Sequence, residues 1–343
     1  MRDSSPVDAR TSVASPRLAA APSLADLLGP VRVDLDRLNR ELPQDLFPGN
    51  ADLSPLLEHV GRYRGKQLRP ALVYLAASAT GGVREVHHTI AKVVELIHVA
   101  TLVHDDILDG AELRRRLPTI HALHGNEIAV LLGDSIYAKA FALAVQLEDQ
   151  TCSRMLSEVT RTICNGEITQ ILHRFDFAWT EARYFEVIRD KTASLYAAAC
   201  RLGAHYAGGS RAECEAFDTF GTELGIAFQI VDDCLDLDGE ERVVGKSLGT
   251  DLEKGKLTLP LLWIVKHSPG GADRLRRLVA DESPARHLQR LRAEFPLQDA
   301  VAYALRAAQA RIVKARAALD RIPATPARAA LDGVADYVLA REL

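Results

Sequence analysis

Two short aspartate-rich stretches, each closing a long apolar segment, constrain this 343-residue chain more than any other feature. The first is Leu102-Val103-His104-Asp105-Asp106-Ile107-Leu108-Asp109, and the second is Phe228-Gln229-Ile230-Val231-Asp232-Asp233-Cys234-Leu235-Asp236. If both segments are helical, Asp105 and Asp109 project from one face a single turn apart, and Gln229, Asp232, Asp233 and Asp236 share a face in the same way. Stacked anions repel one another, and the C-terminal end of a helix dipole disfavours them further. A hard divalent cation removes both objections, and Mg2+ characteristically completes its shell with water and substrate phosphate oxygens. One Asp-Asp-x-x-Asp is commonly no more than a solvated helix end. Two copies, each ending a strongly apolar segment, suggest facing carboxylate walls that hold Mg2+ over a polyanion.

The rest of the chain supports helices almost throughout. From Pro55 onward the pattern is apolar-periodic, rich in Ala and Leu and broken by Gly and Pro, with few alternating strand-like runs. Pro70 fits the first turn of a helix ending before Gly81-Gly82, and further segments cover about 83–108, 126–147, 151–172, 180–207 and 211–237. The expected architecture is all-α: residues 1–22 form a disordered tail, and 23–343 form a single-domain helical bundle around a central apolar cavity. A formal net charge of −4 argues against a nucleic-acid binder that relies on a basic surface. No run of about 18 residues is free of charge, so no spanning helix is expected. The five cysteines include no Cys-x-x-Cys pair and read as small buried thiols in a reducing, cytoplasmic setting.

Positive charge is placed selectively. Only nine of the 42 basic residues are lysine. Lys66 and Arg69 lie three apart where a helix begins, Arg114, Arg115 and Arg116 follow the first aspartate cluster, and Lys246 and Lys256 follow the second. Such cations beside carboxylate–metal sites are what diphosphate recognition needs.

With these stretches in view, the chain resembles the polyprenyl synthetase family of trans-polyprenyl diphosphate synthases. The resemblance rests on GKQLRP at Gly65, ELIHVATLVHDDILDGAELRRRLPTIHALHGN at Glu95, Gly133-Asp134, GEITQ at Gly166, KTASL at Lys191, FQIVDDCLDLDG at Phe228 and GKSLGTDLEKGKLTLPLL at Gly245, with ADYVLARE near the C-terminus. It implies an isoprenoid synthase-like fold. It also implies that Lys66, Arg69, His98 and Arg115 hold isopentenyl diphosphate, while Arg114, Lys191, Thr192, Gln229, Lys246 and Lys256 hold the allylic diphosphate. Asp105, Asp109 and Asp232 would be the main Mg2+ ligands, supported by Asp106, Asp233 and Asp236, with three ions per substrate-loaded site. His98, two turns before Asp105, fits that face independently. His104 is read as a packing residue.

By the same resemblance, the allylic diphosphate departs to leave a carbocation, the isopentenyl double bond attacks it, and a proton is lost to the released pyrophosphate. Small residues at Ala100 and Thr101, five and four before Asp105, resemble the open pocket floor of long-chain enzymes. Ile97, Met155 or Leu156 would restrict it further down. The expected product has about six to ten isoprene units, on a pocket-volume argument. The chain departs from the usual family pattern at Gly110, Gln67 and Arg116, the last adding charge at the site mouth. The rival readings are a short-chain synthase, a class I terpene cyclase and one subunit of a two-component synthase. The cyclase would lack the second aspartate cluster and GKQLRP, and a non-catalytic subunit would lack intact clusters. A homodimer is expected, with at most peripheral membrane contact.

Overall fold

The computed structural model describes residues 23–46, 52–63, 65–239, 248–280 and 286–341. Residues 1–22 and Lys246 lie outside these. The described helices are α1 (Leu24–Leu27), α2 (Arg32–Leu46), α3 (Ser54–Gly61), α4 (Leu68–Thr80), α5 (Glu85–Leu108), α6 (Ile120–His124), α7 (Asn126–Ala144), α8 (Thr151–Leu172), α9 (Glu181–Ile188), α10 (Ser194–Tyr206) and α11 (Arg211–Asp238). After a short turn at Thr250–Glu253 come helices Leu259–His267, Gly271–Val279, His287–Glu294, Leu297–Leu319 and Pro326–Leu339.

The fold is all-α, and one apolar core runs from Leu28 to Val338. Helix α5 lies against α4 and α7, α10 bridges α4, α8 and α11, and Leu297–Leu319 covers α11. Helix α5 is long and apolar enough to cross a membrane, but two-thirds of its apolar window is buried inside the bundle, as a core helix requires. The helix ends follow local chemistry: Ser210 and Glu213 form a reciprocal capping box that starts α11, and Thr180 caps α9 by accepting from Arg183 N–H. Gly225 meets Ala193 and Gly221 meets Ala197, so α10 runs antiparallel to α11; Lys191, just before its start, interacts with Asp105, and Thr192 bonds Gln229, which brings the end of α5 and the end of α11 to the same turn.

Two features depart from the periodic pattern. The expected helix over 180–207 contains a π turn, Arg189–Ala193, between α9 and α10. Such turns insert an extra residue into the helical ladder and frequently mark functional sites. Here the turn carries Lys191 and Thr192. It seats against α11 because Gly225 leaves no side chain there; a Cβ on Gly225 would stand 2.6 Å from Ala193 Cα, and one on Gly221 would stand 2.7 Å from Ala197 Cα. The second feature is a hairpin pairing Leu113–Arg114 with Leu117–Pro118. Its two loop residues, Arg115 and Arg116, have φ of 50° and 67°. A two-residue hairpin loop of this type demands positive φ at both positions. Cys164 also differs from expectation: the five cysteines are free, four are buried, and Cys164 is exposed.

Candidate active site

The end of α5 supplies the first carboxylate wall. Asp109 is the residue that follows the last helical turn, and its carboxylate accepts from Lys256 Nζ at 2.9 Å, with Lys254 Nζ at 3.4 Å and Arg174 at 3.7 Å. Burial alone would push this carboxyl up, but Lys256 and Lys254 override it and hold it at about 2. Asp105, one turn earlier, is raised by burial, with Lys191 opposing and Glu167 and Asp109 reinforcing the shift. Asp106 points elsewhere. It is buried and paired with Arg114 through Nε at 2.7 Å and Nη2 at 2.6 Å. Arg114 therefore braces the first cluster from behind.

The opposite wall comes from the π turn, α8 and α11. Lys191 forms an ion pair with Glu167 and donates to Gln170 Oε1 at 3.3 Å. Burial lowers its pKa, yet Asp105 and Glu167 reverse the sign and keep it a cation. The Thr192 hydroxyl donates to Gln229 Oε1 at 2.8 Å, and Gln229 Nε2 donates to Asp233 Oδ1 at 2.8 Å. Tyr184 completes the set, its hydroxyl donating to Asp233 Oδ2 at 2.6 Å.

The second cluster divides its labour. Asp232 accepts from Arg341 Nη2 at 2.7 Å, and that guanidinium lies 4.3 Å from the centre of the Phe228 ring. Asp233 is buried and raised, by burial first and by Asp251 next, against its two hydrogen bonds. Asp236 is fully buried and accepts from Thr250 Oγ1 at 3.0 Å and Asp251 N–H at 3.1 Å, fastening the start of the Thr250–Glu253 turn.

A third group gathers cations around a histidine. His98 lies among Arg69, Arg115 and Arg114; burial, then these cations, hold its pKa well below the usual imidazole value. A neutral imidazole can donate to a phosphate oxygen without adding to the repulsion among three arginines. Arg69 stacks 4.6 Å over the Tyr196 ring, and its Nε is buried without a partner. Arg115 donates to the Tyr63 carbonyl, and Lys66 stands 5.0 Å over the Tyr337 ring. Gln67 exchanges amide hydrogen bonds with Asn39 at 2.9 and 3.1 Å.

The structure thus joins residues far apart in sequence: Asp109 with Lys256, and Asp105 with Lys191. Among the described residues no three Asp, Glu, His or Cys side chains converge tightly enough to form a metal cage by themselves. Asp105 and Asp109 at the end of α5 and Asp232 on α11 instead offer hard oxygen donors of the kind Mg2+ takes together with water and phosphate. Below the cluster, Thr101 is half-buried while Ala100 and Ile97 are fully buried; Leu156 is buried and Met155 partly so. His104 packs 5.8 Å from the Tyr137 ring and sits 3.2 Å from the Val130 carbonyl oxygen.

Sequence reasoning missed Glu167, Gln170, Arg174, Tyr184, Lys254 and Arg341. Glu167 and Gln170 lie inside the GEITQ stretch, three apart and thus on one helical face, and Arg341 lies in ADYVLARE. Nothing local marks Tyr184.

The all-helical bundle thus carries two carboxylate clusters at helix ends and a separate group of arginines around a histidine. Residues 50–294 match the polyprenyl synthetase family. The chain is 34% identical over 322 residues to octaprenyl diphosphate synthase of Escherichia coli, covering 90% of this chain and 100% of that one. It superposes with a TM-score of 0.88 on a polyprenyl synthase from Caulobacter crescentus complexed with calcium and isoprenyl diphosphate, at 34% identity, covering 95% and 100% of the two chains. A decaprenyl diphosphate synthase from Rhodobacter capsulatus gives a TM-score of 0.84 at 32% identity, covering 94% and 100%. The chain belongs to the polyprenyl synthetase family. It is a trans-prenyltransferase.

Proposed function

We propose that this enzyme adds isopentenyl diphosphate repeatedly, head to tail, to an allylic diphosphate primer and releases a long-chain polyprenyl diphosphate of about six to ten isoprene units. The observation that carries the reading is the meeting of the two walls, with Lys256 on Asp109 and Lys191 beside Asp105. Carboxylates and ammonium groups interleave there, so a metal-bound diphosphate can replace each internal pair without leaving a buried charge uncompensated. The likeness to octaprenyl, solanesyl and decaprenyl synthases supports the long product.

In this reading Asp105, Asp109 and Asp232 would hold Mg2+, which when bound withdraws charge from the departing allylic diphosphate. Lys191, Thr192, Gln229 and Lys256 orient that group, and Lys246 joins them by sequence. Lys66, Arg69, His98 and Arg115 hold the isopentenyl diphosphate so that its double bond faces the ionising carbon. No side-chain base is needed, because the released pyrophosphate can take the proton. The apolar residues of α5, α7 and α8 exclude water from the cation.

The same reading makes the enzyme a cytoplasmic homodimer. Its five free thiols suit a reducing compartment. Ile128 and Leu131 on α7 and Ile168 and Leu172 on α8 are exposed and apolar, as an unpaired contact face would be. Contact with a membrane would be peripheral, during product release. Pyrophosphate release by the purified chain tests the chemistry: it should require both diphosphates, stop with EDTA and return with Mg2+. Release from the allylic substrate alone would contradict the reading, and a single-chain mass by light scattering would contradict the dimer.

A further inference from the structure

The strongest unassigned feature is the buried hydrogen-bond chain that runs from Tyr184 through Asp233 and Gln229 to Thr192. We propose that Tyr184 is a positioning residue for the allylic diphosphate, acting through Asp233 to fix which face Gln229 presents. This rests on the prenyltransferase reading above and adds a residue and a role to it.

Tyr184 is nearly inaccessible, and its hydroxyl donates to Asp233 Oδ2 at 2.6 Å. Asp233 Oδ1 accepts from Gln229 Nε2 at 2.8 Å, so the amide nitrogen must lie on that side. Gln229 Oε1 is then committed to the Thr192 hydroxyl at 2.8 Å. A primary amide has two N–H donors and one carbonyl. Asp233 uses one N–H and Thr192 uses the carbonyl, leaving the second N–H as the group that can meet a diphosphate oxygen. Were the amide to flip, its carbonyl would face the anion and its NH2 would face the Thr192 hydroxyl. The Tyr184 hydrogen bond holds the carboxylate in the rotamer that forbids the flip.

The arrangement also explains why Tyr184 lies where it does. It stands seven residues before Lys191, on the helix that continues into the π turn. One end of that segment is tied to α11 through Tyr184–Asp233 and the other through Thr192–Gln229. Asp233 therefore serves as the fixed point between two diphosphate-facing groups, and Asp232 alone of the adjacent pair faces Arg341 at the site.

Tyr184→Phe removes one hydroxyl and little volume. The expected result is a five- to tenfold rise in KM for the allylic diphosphate, with KM for isopentenyl diphosphate and kcat within twofold of the parent. In a Gln229→Ala background the same change should have no further effect, because the amide it orients is gone. Calorimetric titration with inorganic pyrophosphate and Mg2+ should show the same five- to tenfold weakening and the same loss of effect in the double variant. Equal rises in both KM values, or additive losses in the double variant, would mean that Tyr184 merely supports the fold and would overturn the proposal. Unchanged kinetics and unchanged pyrophosphate binding in Tyr184→Phe would overturn it as well. A parent enzyme that binds pyrophosphate but never condenses the two substrates would sink the prenyltransferase reading instead, and the titration would still decide the role of Tyr184.

Discussion

Asp105 and Asp109 stand one turn apart on the same helix, yet their surroundings push them in opposite directions. Asp109 gains Lys256 and Lys254, and its depressed pKa of about 2 means that its charged form stabilises the fold. That contribution is complete above the unfolded value near 3.8 and is lost as pH falls from about 4 toward 2, on the order of 2 kcal/mol. Asp109→Asn should therefore flatten the acid-unfolding profile in that window; superimposable profiles would contradict the assignment. Asp105 is raised by burial, so its charge opposes folding in the metal-free protein. Asp105→Asn should raise the melting temperature while lowering kcat on the order of 10²–10³-fold, a scale typical of losing one electrostatic contact in a reacting site. A variant that melts lower would show that Lys191 outweighs the burial cost. Most of these residues were legible one by one, because Asp-Asp-x-x-Asp and scarce lysines are local signals. What could not be read was their division of labour: Asp106 pairs with Arg114, Asp233 binds Tyr184 and Gln229, and Asp236 fastens a turn. Arg114, Tyr184 and Thr250 come from other elements, whereas Gln229 lies one turn before Asp233 on α11 itself.

At the scale of the element, helices were legible because their burial repeats every 3.6 residues. The segment read as 151–172 appears with those bounds, and the one read as 126–147 ends at Ala144. The π turn and the hairpin were invisible for a physical reason. One keeps helical periodicity while adding a residue, and the other is four paired residues too short to show alternation. Both can be tested. Gly225→Ala places a methyl 2.6 Å from Ala193 Cα, so the π turn must shift. It should cost about 1–3 kcal/mol in thermal unfolding and reduce kcat as Lys191 and Thr192 move. Arg116 adopts φ 67°, in the left-handed region that favours glycine. Arg116→Gly should relieve about 1 kcal/mol of left-handed strain, read as a higher melting temperature; a lower one would mean that the arginine's own contacts outweigh the strain.

At the scale of the molecule, the all-α fold followed from composition and period, whereas the depth of the product pocket depends on which side chains face inward. Thr101 shares the face of Asp105 and remains half-buried, while Ala100 is closed into the core. Thr101→Phe should shorten the product with the fold intact, while Ala100→Phe should overpack the core at about 1–3 kcal/mol and be read first in the melting curve. The central claim is that a single chain type builds a long polyprenyl diphosphate without help. Chromatography of the dephosphorylated product made by the purified chain from farnesyl diphosphate, isopentenyl diphosphate and Mg2+ tests it most directly. The account predicts a main product between C30 and C50; a C20 product, a cyclised hydrocarbon or no turnover would contradict it.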